Sequence, residues 1–194
     1  MNSVEIDNVL RSVCGATFLG VYAKDRLPSS LPNRPCLMVV NTEPSTRSGE
    51  HWISLYLDAN EGEYFDSFGQ LANQTFTRYM NKHCSRWIHS ERQLQSVVSR
   101  FCGHYCIFYC CYRKIGYNLN AILSWFSLDY GLNDLLVHEF VCRRMMKIKR
   151  WRKTKWCCLL LESLLRCRLD LRREPPLRSW SRQLIRRRAS FPST

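Results

Sequence analysis

A thiol, an imidazole, a carboxylate and a side-chain amide occur in an order that suits nucleophilic attack on a carbonyl carbon. Cys102 opens the run CGHYCIFYCCYRKIG, whose apolar and aromatic side chains fall on nearly every face from Tyr105 to Tyr112, the pattern of a helix buried in the middle of a domain. A cysteine in the first turn of such a helix feels the positive end of the peptide dipoles, which lowers its pKa, and a neighbouring imidazolium lowers it further. His51 stands at the entrance to a strand-like run and Asp66 at the end of the next one. Together they supply a nucleophile, a general base and a carboxylate able to orient that base, the set a thiol protease needs. Gln95 comes seven residues before Cys102, so its amide can reach back to an oxyanion forming beside the Cys102 N–H. Gly103, with no side chain, leaves room for a substrate backbone to approach.

Positioning these groups requires a particular succession of elements. SVEIDNVLRSV (residues 3–13) predicts a short helix, with Val4, Val9, Leu10 and Val13 apolar and Ser3, Glu5 and Asp7 suited to its start. LPSSLPNRP cannot propagate a helix and reads as a loop. The compact apolar run Cys36–Asn41 predicts a buried strand. In HWISLYLD, Trp52, Ser54, Tyr56 and Asp58 alternate with Ile53, Leu55 and Leu57, which is strand periodicity. After the turn ANEG, EYFDSFG predicts a second strand and hence a hairpin. FTRYMNKHCSRWI (76–88) predicts a helix from the spacing of Phe76, Tyr79 and Met80, and RQLQSVV a short extended piece. Gly116 is a natural stop for the buried helix, and FSLDYGLNDLLVHEFVCRRMM predicts an amphipathic helix that closes the compact part. No internal repeat is visible.

The charge is unevenly divided. Residues 1–142 hold 12 Lys+Arg and 13 Asp+Glu, net −1, whereas residues 143–194 hold 17 and 3, net +14, so all the basic character lies in the tail. There RRMMKIKRWRKTK carries eight basic residues in thirteen, with Trp151 among them. Such a segment suits nucleic acid, an anionic membrane surface or an import receptor, against the alternative of a poorly ordered extension with no role. Eleven cysteines would fit a secreted disulfide scaffold, but no export leader precedes Cys14. A reducing, intracellular compartment and free thiols are therefore expected. No apolar run approaches the roughly 18 residues that span a bilayer. Cys106, Cys110 and Cys111 with His104 could be imagined as metal ligands. Buried thiols filling a core are preferred, because no turn brings the pairs around one ion, and no metal is expected.

Four blocks carry a family likeness. FLGVYAKDRLP, VVNTEPSTRSGEHW, YFDSFG and QSVVSRFCGHYC, in that order over roughly residues 10–112, resemble the adenovirus-type cysteine proteases, distant relatives of the proteases that process ubiquitin-like modifiers. The resemblance implies His51 as general base, Asp66 as orienting acid, Gln95 as oxyanion donor and Cys102 as nucleophile. Asp66 stands where the adenovirus enzymes have Glu, a change that keeps the carboxylate and shortens its reach. The resemblance further implies Cys84, from its spacing before Gln95, as a thiol for an activating peptide, and DNA as a cofactor. It implies small residues, often Gly, flanking the cut bond, a virus-derived or mobile-element source, and a nuclear or virion-associated location. Downstream of the nucleophile helix the likeness is poor.

The expected fold is α+β, a cysteine-protease fold with a central mixed sheet and a buried nucleophile helix over residues 1–146, followed by a basic extension over 147–194. The expected function is a cysteine endopeptidase acting on precursor proteins through Cys102, His51, Asp66 and Gln95, with no cofactor required for the chemistry itself. Rival readings are a protease that removes ubiquitin-like modifiers and an inactive descendant kept as a basic nucleic-acid-binding protein. Oligomeric state is left open.

Overall fold

The computed structural model describes residues 1–154 of the chain. The sequence-expected boundary at 146/147 falls within a continuous helix, and most of the expected basic tail lies outside the described residues. Helix α1 (Ser3–Cys14) leads into β1 (Phe18–Ala23), β2 (Cys36–Asn41), β3 (Trp52–Leu57) and β4 (Glu61–Phe65). Then follow α2 (Gln74–His83), β5 (Arg86–His89), α3 (Cys102–Lys114), α4 (Leu119–Leu123) and α5 (Tyr130–Thr154). The strands form one mixed sheet in sequence order β1-β2-β3-β4-β5, parallel at its two outer pairs and antiparallel at β2–β3 and β3–β4. The β3–β4 pair is the expected hairpin, closed where Asp58 N–H donates to Glu61 O at 2.8 Å.

Both faces of the sheet are covered, which explains why the alternation in β3 marks two interiors rather than an inside and an outside. Ile53, Leu55 and Leu57 join Cys36, Met38, Val40, Tyr64, Phe76, Met80 and Cys84 in a cluster beneath α2. On the opposite face, Phe65 stacks on Tyr109 of α3 at 4.7 Å between centroids, and Ser54 lies 3.6 Å from the Cys110 thiol. Every residue of α3 from Cys102 to Tyr112 is buried. The helix is walled by α1 and by an aromatic set in which Phe108 meets Phe126 and Phe140, and Tyr112 meets Trp125. Cys106, Cys110 and Cys111 are fully buried free thiols in this interior, and among the described residues no cluster of His, Cys, Asp and Glu is arranged to hold a metal.

Several local expectations change. The cap of α1 is Asn2, which receives the Glu5 N–H while Glu5 accepts the Asn2 N–H, and the buried stripe is Ile6, Val9, Leu10 and Cys14, with Val4 facing solvent. Helix α2 stops at His83 instead of running to residue 88. Cys84 turns extended, and Arg86–His89 pairs in parallel with β4 as the edge strand β5. RQLQSVV forms a loop, not a strand. Strand β1 was not foreseen as a strand, nor α4 as a helix.

Gly62 fixes the seat of α2 on the sheet. A Cβ there would lie 2.7 Å from Met80 Cε, 2.8 Å from Cys84 Sγ and 3.0 Å from Trp87 Cβ. Gly62→Ala is therefore expected to destabilise the protein by about 1–3 kcal/mol through overpacking, read as a lower urea midpoint with an unchanged slope.

Candidate active site

The four residues singled out in the sequence come from the entry to β3, the exit of β4, the loop before α3 and the first residue of α3. His51 Nε2 lies 2.9 Å from Asp66 Oδ1, and both groups are withdrawn from solvent, with side chains 13% and 1% exposed. An ionised carboxylate can only accept, so this contact places the ring proton on Nε2 and leaves Nδ1 as the basic atom. Asp66 Oδ1 also accepts the Phe68 N–H at 2.7 Å, and the Phe68 ring lies 4.9 Å from the imidazole, which pins the ring between carboxylate and phenyl. Ser90 clamps the Asp66 backbone from both sides, accepting its N–H and donating to its carbonyl, each at 2.8 Å.

Cys102 neighbours the free edge of that imidazole. His51 Nδ1 makes no formed hydrogen bond, yet the thiol and the ring act strongly on each other's ionisation. Burial alone would raise the Cys102 pKa. Attraction from His51, with the Trp52 and Gly103 N–H groups, outweighs it and holds the thiol below its ordinary value. Burial would likewise lower the His51 pKa, but Asp66 and then Cys102 raise it to about 9. The two shifts work in one direction, each group favouring the charged form of the other, thiolate beside imidazolium. No side chain caps α3; its Gly103 N–H acts on the Cys102 thiol, while the His104 N–H turns to Phe101 O at 2.7 Å.

The ionisations set an expected pH response. Alkylation of Cys102 should already be fast below the pH at which ordinary thiols react, and should fall as acid protonates the thiolate. The raised His51 pKa contributes stability that is fully present below 6.5, its unfolded value, and is lost as pH rises through about 9. Rates measured from pH 5 to 10 with a small chloroacetamide check the first. Urea midpoints at pH 7 and 10 check the second.

Gln95 is wholly buried and held at both ends. Its Oε1 accepts from Ser67 Oγ at 2.8 Å, and its Nε2 donates to Ser99 O at 3.0 Å, which leaves one amide proton unspent. The loop carrying it is fastened by Leu94 and Gln95 N–H groups to Ser67 O at 2.8 and 3.1 Å, and by Asn133 Nδ2 to Leu94 O at 3.1 Å. The tight Asp66–Gly69 turn enables this approach, because Gly69 sits at φ +68° with its α-carbon against the Arg92 backbone.

One expectation about the surroundings does not hold. The space beside Gly103 is not open to a substrate, since a Cβ there would lie 3.1 Å from Ile6 Cδ1 and 3.5 Å from Trp52 Cδ1. This glycine lets α1 and β3 close on α3. Cys84 belongs to the α2 face, near the opposite end of β4 from Asp66. It is 6% exposed and its thiol is pushed up by burial. Ser67, Phe68 and Ser90 were not foreseen. Ser67 and Phe68 adjoin Asp66 in the sequence, whereas Ser90 bears no local pattern that distinguishes it from any surface serine.

No family model matches the chain. A protease of avian adenovirus 8 is 31% identical over 103 aligned positions, a match that covers 44% of this chain and 50% of that protein. This chain resembles an adenovirus protease. It spans half the length of that curated relative. A crystal structure of an ASFV protease superposes with a TM-score of 0.51 at 18% identity, over 71% of this chain and 66% of that one. A selenomethionine crystal form aligns over 54% of this chain with a TM-score of 0.41 and 24% identity. The first superposition shows the fold to be shared: an α+β fold around a mixed sheet. Among the described residues no helix is long and apolar enough to cross a membrane.

Proposed function

We propose that this chain is a cysteine endopeptidase. Cys102 attacks the scissile carbonyl as thiolate, and the bond from sulfur to carbon forms as the carbonyl electrons move onto oxygen. The backbone N–H at Cys102 and the spare Gln95 amide proton stabilise that oxygen. His51 then delivers its proton to the leaving amine, the C–N bond breaks, and a thioester remains. Water, deprotonated by His51, resolves the thioester to a carboxylic acid and returns the thiol. Asp66 keeps the imidazole in the tautomer and plane that both steps need. The observation that carries this reading is the 2.9 Å His51–Asp66 contact, which turns the basic Nδ1 edge toward a thiol of lowered pKa at a helix start.

The substrate class follows from the adenovirus resemblance: precursor proteins cut beside small residues, often Gly. DNA and an activating peptide belong to the same proposal as accessory factors. The test treats the full chain with a limiting thiol electrophile at neutral pH, with and without DNA, and maps the adducts. Cys102 is expected to be labelled well ahead of Cys36 and Cys84, whose thiols burial raises. Cys102→Ala is expected to abolish cleavage of glycine-containing peptides. Labelling no faster than at those cysteines in both conditions, with no cleavage, would defeat the reading. Cleavage confined to the Gly-Gly terminus of a modifier would transfer it to the modifier-removing class.

A further inference from the structure

We infer that Ser67 is a positioning residue for the oxyanion donor, so that the adjacent pair Asp66–Ser67 orients both the base and the amide. This rests on reading Gln95 as that donor. Asp66 faces His51, and Ser67, the next residue, turns its hydroxyl to Gln95 Oε1 at 2.8 Å. Ser67 and Gln95 are 1% and 0% exposed, so no solvent competes for this contact. The amide has two ends and a plane to be fixed. Ser99 O, at 3.0 Å from Nε2, decides which end is nitrogen, because a flipped amide would set two acceptors against each other. One contact leaves the amide free to swing about its last torsion, and the Ser67 hydroxyl supplies the second point that fixes the plane.

The hydroxyl does more than hold. Donation to Oε1 draws electron density from the amide and makes its N–H groups better donors, including the one not spent on Ser99. Ser67 is itself held by its carbonyl, which receives the Leu94 and Gln95 N–H groups, so the contact is reinforced by backbone on both sides. Removing the hydroxyl would leave Oε1 buried without a donor and the amide plane unset.

The test is a kinetic cycle in the full chain with Ser67→Ala, Gln95→Ala and the double variant, joined to side-chain amide NMR. Ser67→Ala is expected to lower kcat about fivefold to tenfold with little change in KM, the size of one lost hydrogen bond. Cys102 alkylation should stay at the parent rate, because a small alkylating agent forms no oxyanion. In the Gln95→Ala background, Ser67→Ala should cost nothing further. Ser67→Cys, which fills similar space with a weaker donor, should fall between parent and alanine. An equal loss with or without Gln95, or a parallel fall in alkylation, would overturn the proposal in favour of a general structural role. A kcat unchanged by Gln95→Ala would instead show that the reading of Gln95 had failed. A costly Gln95→Ala beside a harmless Ser67→Ala would defeat the Ser67 inference alone. The NMR arm needs no turnover: in a Cys102→Ala chain, Ser67→Ala should shift the Gln95 amide proton pair, and an unmoved pair would overturn the proposal.

Discussion

His51→Ala is expected to lower peptide hydrolysis by about 10⁴-fold or more, the scale seen when one member of a coupled nucleophile–base pair is removed. Two losses combine. Without the imidazolium only the Trp52 and Gly103 N–H groups oppose the burial that raises the Cys102 pKa, so the thiol shifts back toward its protonated form. Without a base, no group protonates the leaving amine or activates the water. These losses separate experimentally, because alkylation of Cys102 needs only the thiolate. Alkylation should slow by about a hundredfold at pH 7, well short of the loss in hydrolysis, and should recover as pH rises. Asp66→Asn should spare much of the alkylation rate while lowering hydrolysis by about 10³–10⁴-fold, since the amide favours the wrong tautomer. Equal alkylation rates in the parent and His51→Ala chains would show that Cys102 is not activated by this ring.

Glu63→Ala is expected to cost about 3–5 kcal/mol of folding stability. Glu63 is 4% exposed and sits where β4, α3 and the start of α4 meet. Its Oε2 accepts from Tyr109 Oη at 2.6 Å and from Arg113 Nε at 3.0 Å, and its Oε1 accepts the Leu119 N–H at 3.2 Å. Arg113 also lies over the Tyr56 ring, 3.7 Å from its centroid. Truncation leaves a half-buried guanidinium without counter-charge and two donors without acceptors, and each such group costs its own desolvation. Glu63→Gln keeps an acceptor and the shape, so a smaller loss is expected. Urea unfolding of the three chains measures the difference. A loss under about 1 kcal/mol for Glu63→Ala would mean that Arg113 finds solvent in the folded state.

The candidate site was legible in the sequence to the extent that chemistry depends on residue type and order. Cys102, His51, Asp66 and Gln95 each stood out by type, beside a strand or helix that local periodicity revealed. Strand β2, the β3–β4 hairpin and helix α3 were legible for the same reason: their patterns are dense and local. The misses share a different physics. Strands β1 and β5 owe their state to parallel partners elsewhere in the chain, a pairing that leaves little local signature. Trp87 keeps helical spacing from Met80 yet packs on the same cluster from β5, so the α2 pattern gave no warning of its stop. Gly103 was read as an opening because its lack of a side chain is local, while the Ile6 methyl that fills the space comes from α1. Ser90 and Ser67 act on partners 24 and 28 residues away, a distance that no window spans.

The separation of base, carboxylate and thiol along the chain dictates the order in which they can meet during synthesis. His51 and Asp66 flank one hairpin, a local structure that forms on the microsecond scale once both strands have left the ribosome. Cys102 follows 36 residues after Asp66, at the head of a helix that is buried only when α1, the sheet and α5 surround it. A nascent chain can thus carry the base and its carboxylate well before it exposes a competent thiolate. Its own ribosome-bound neighbours, and the chain itself, are protected by translation order from the chemistry proposed for the finished fold.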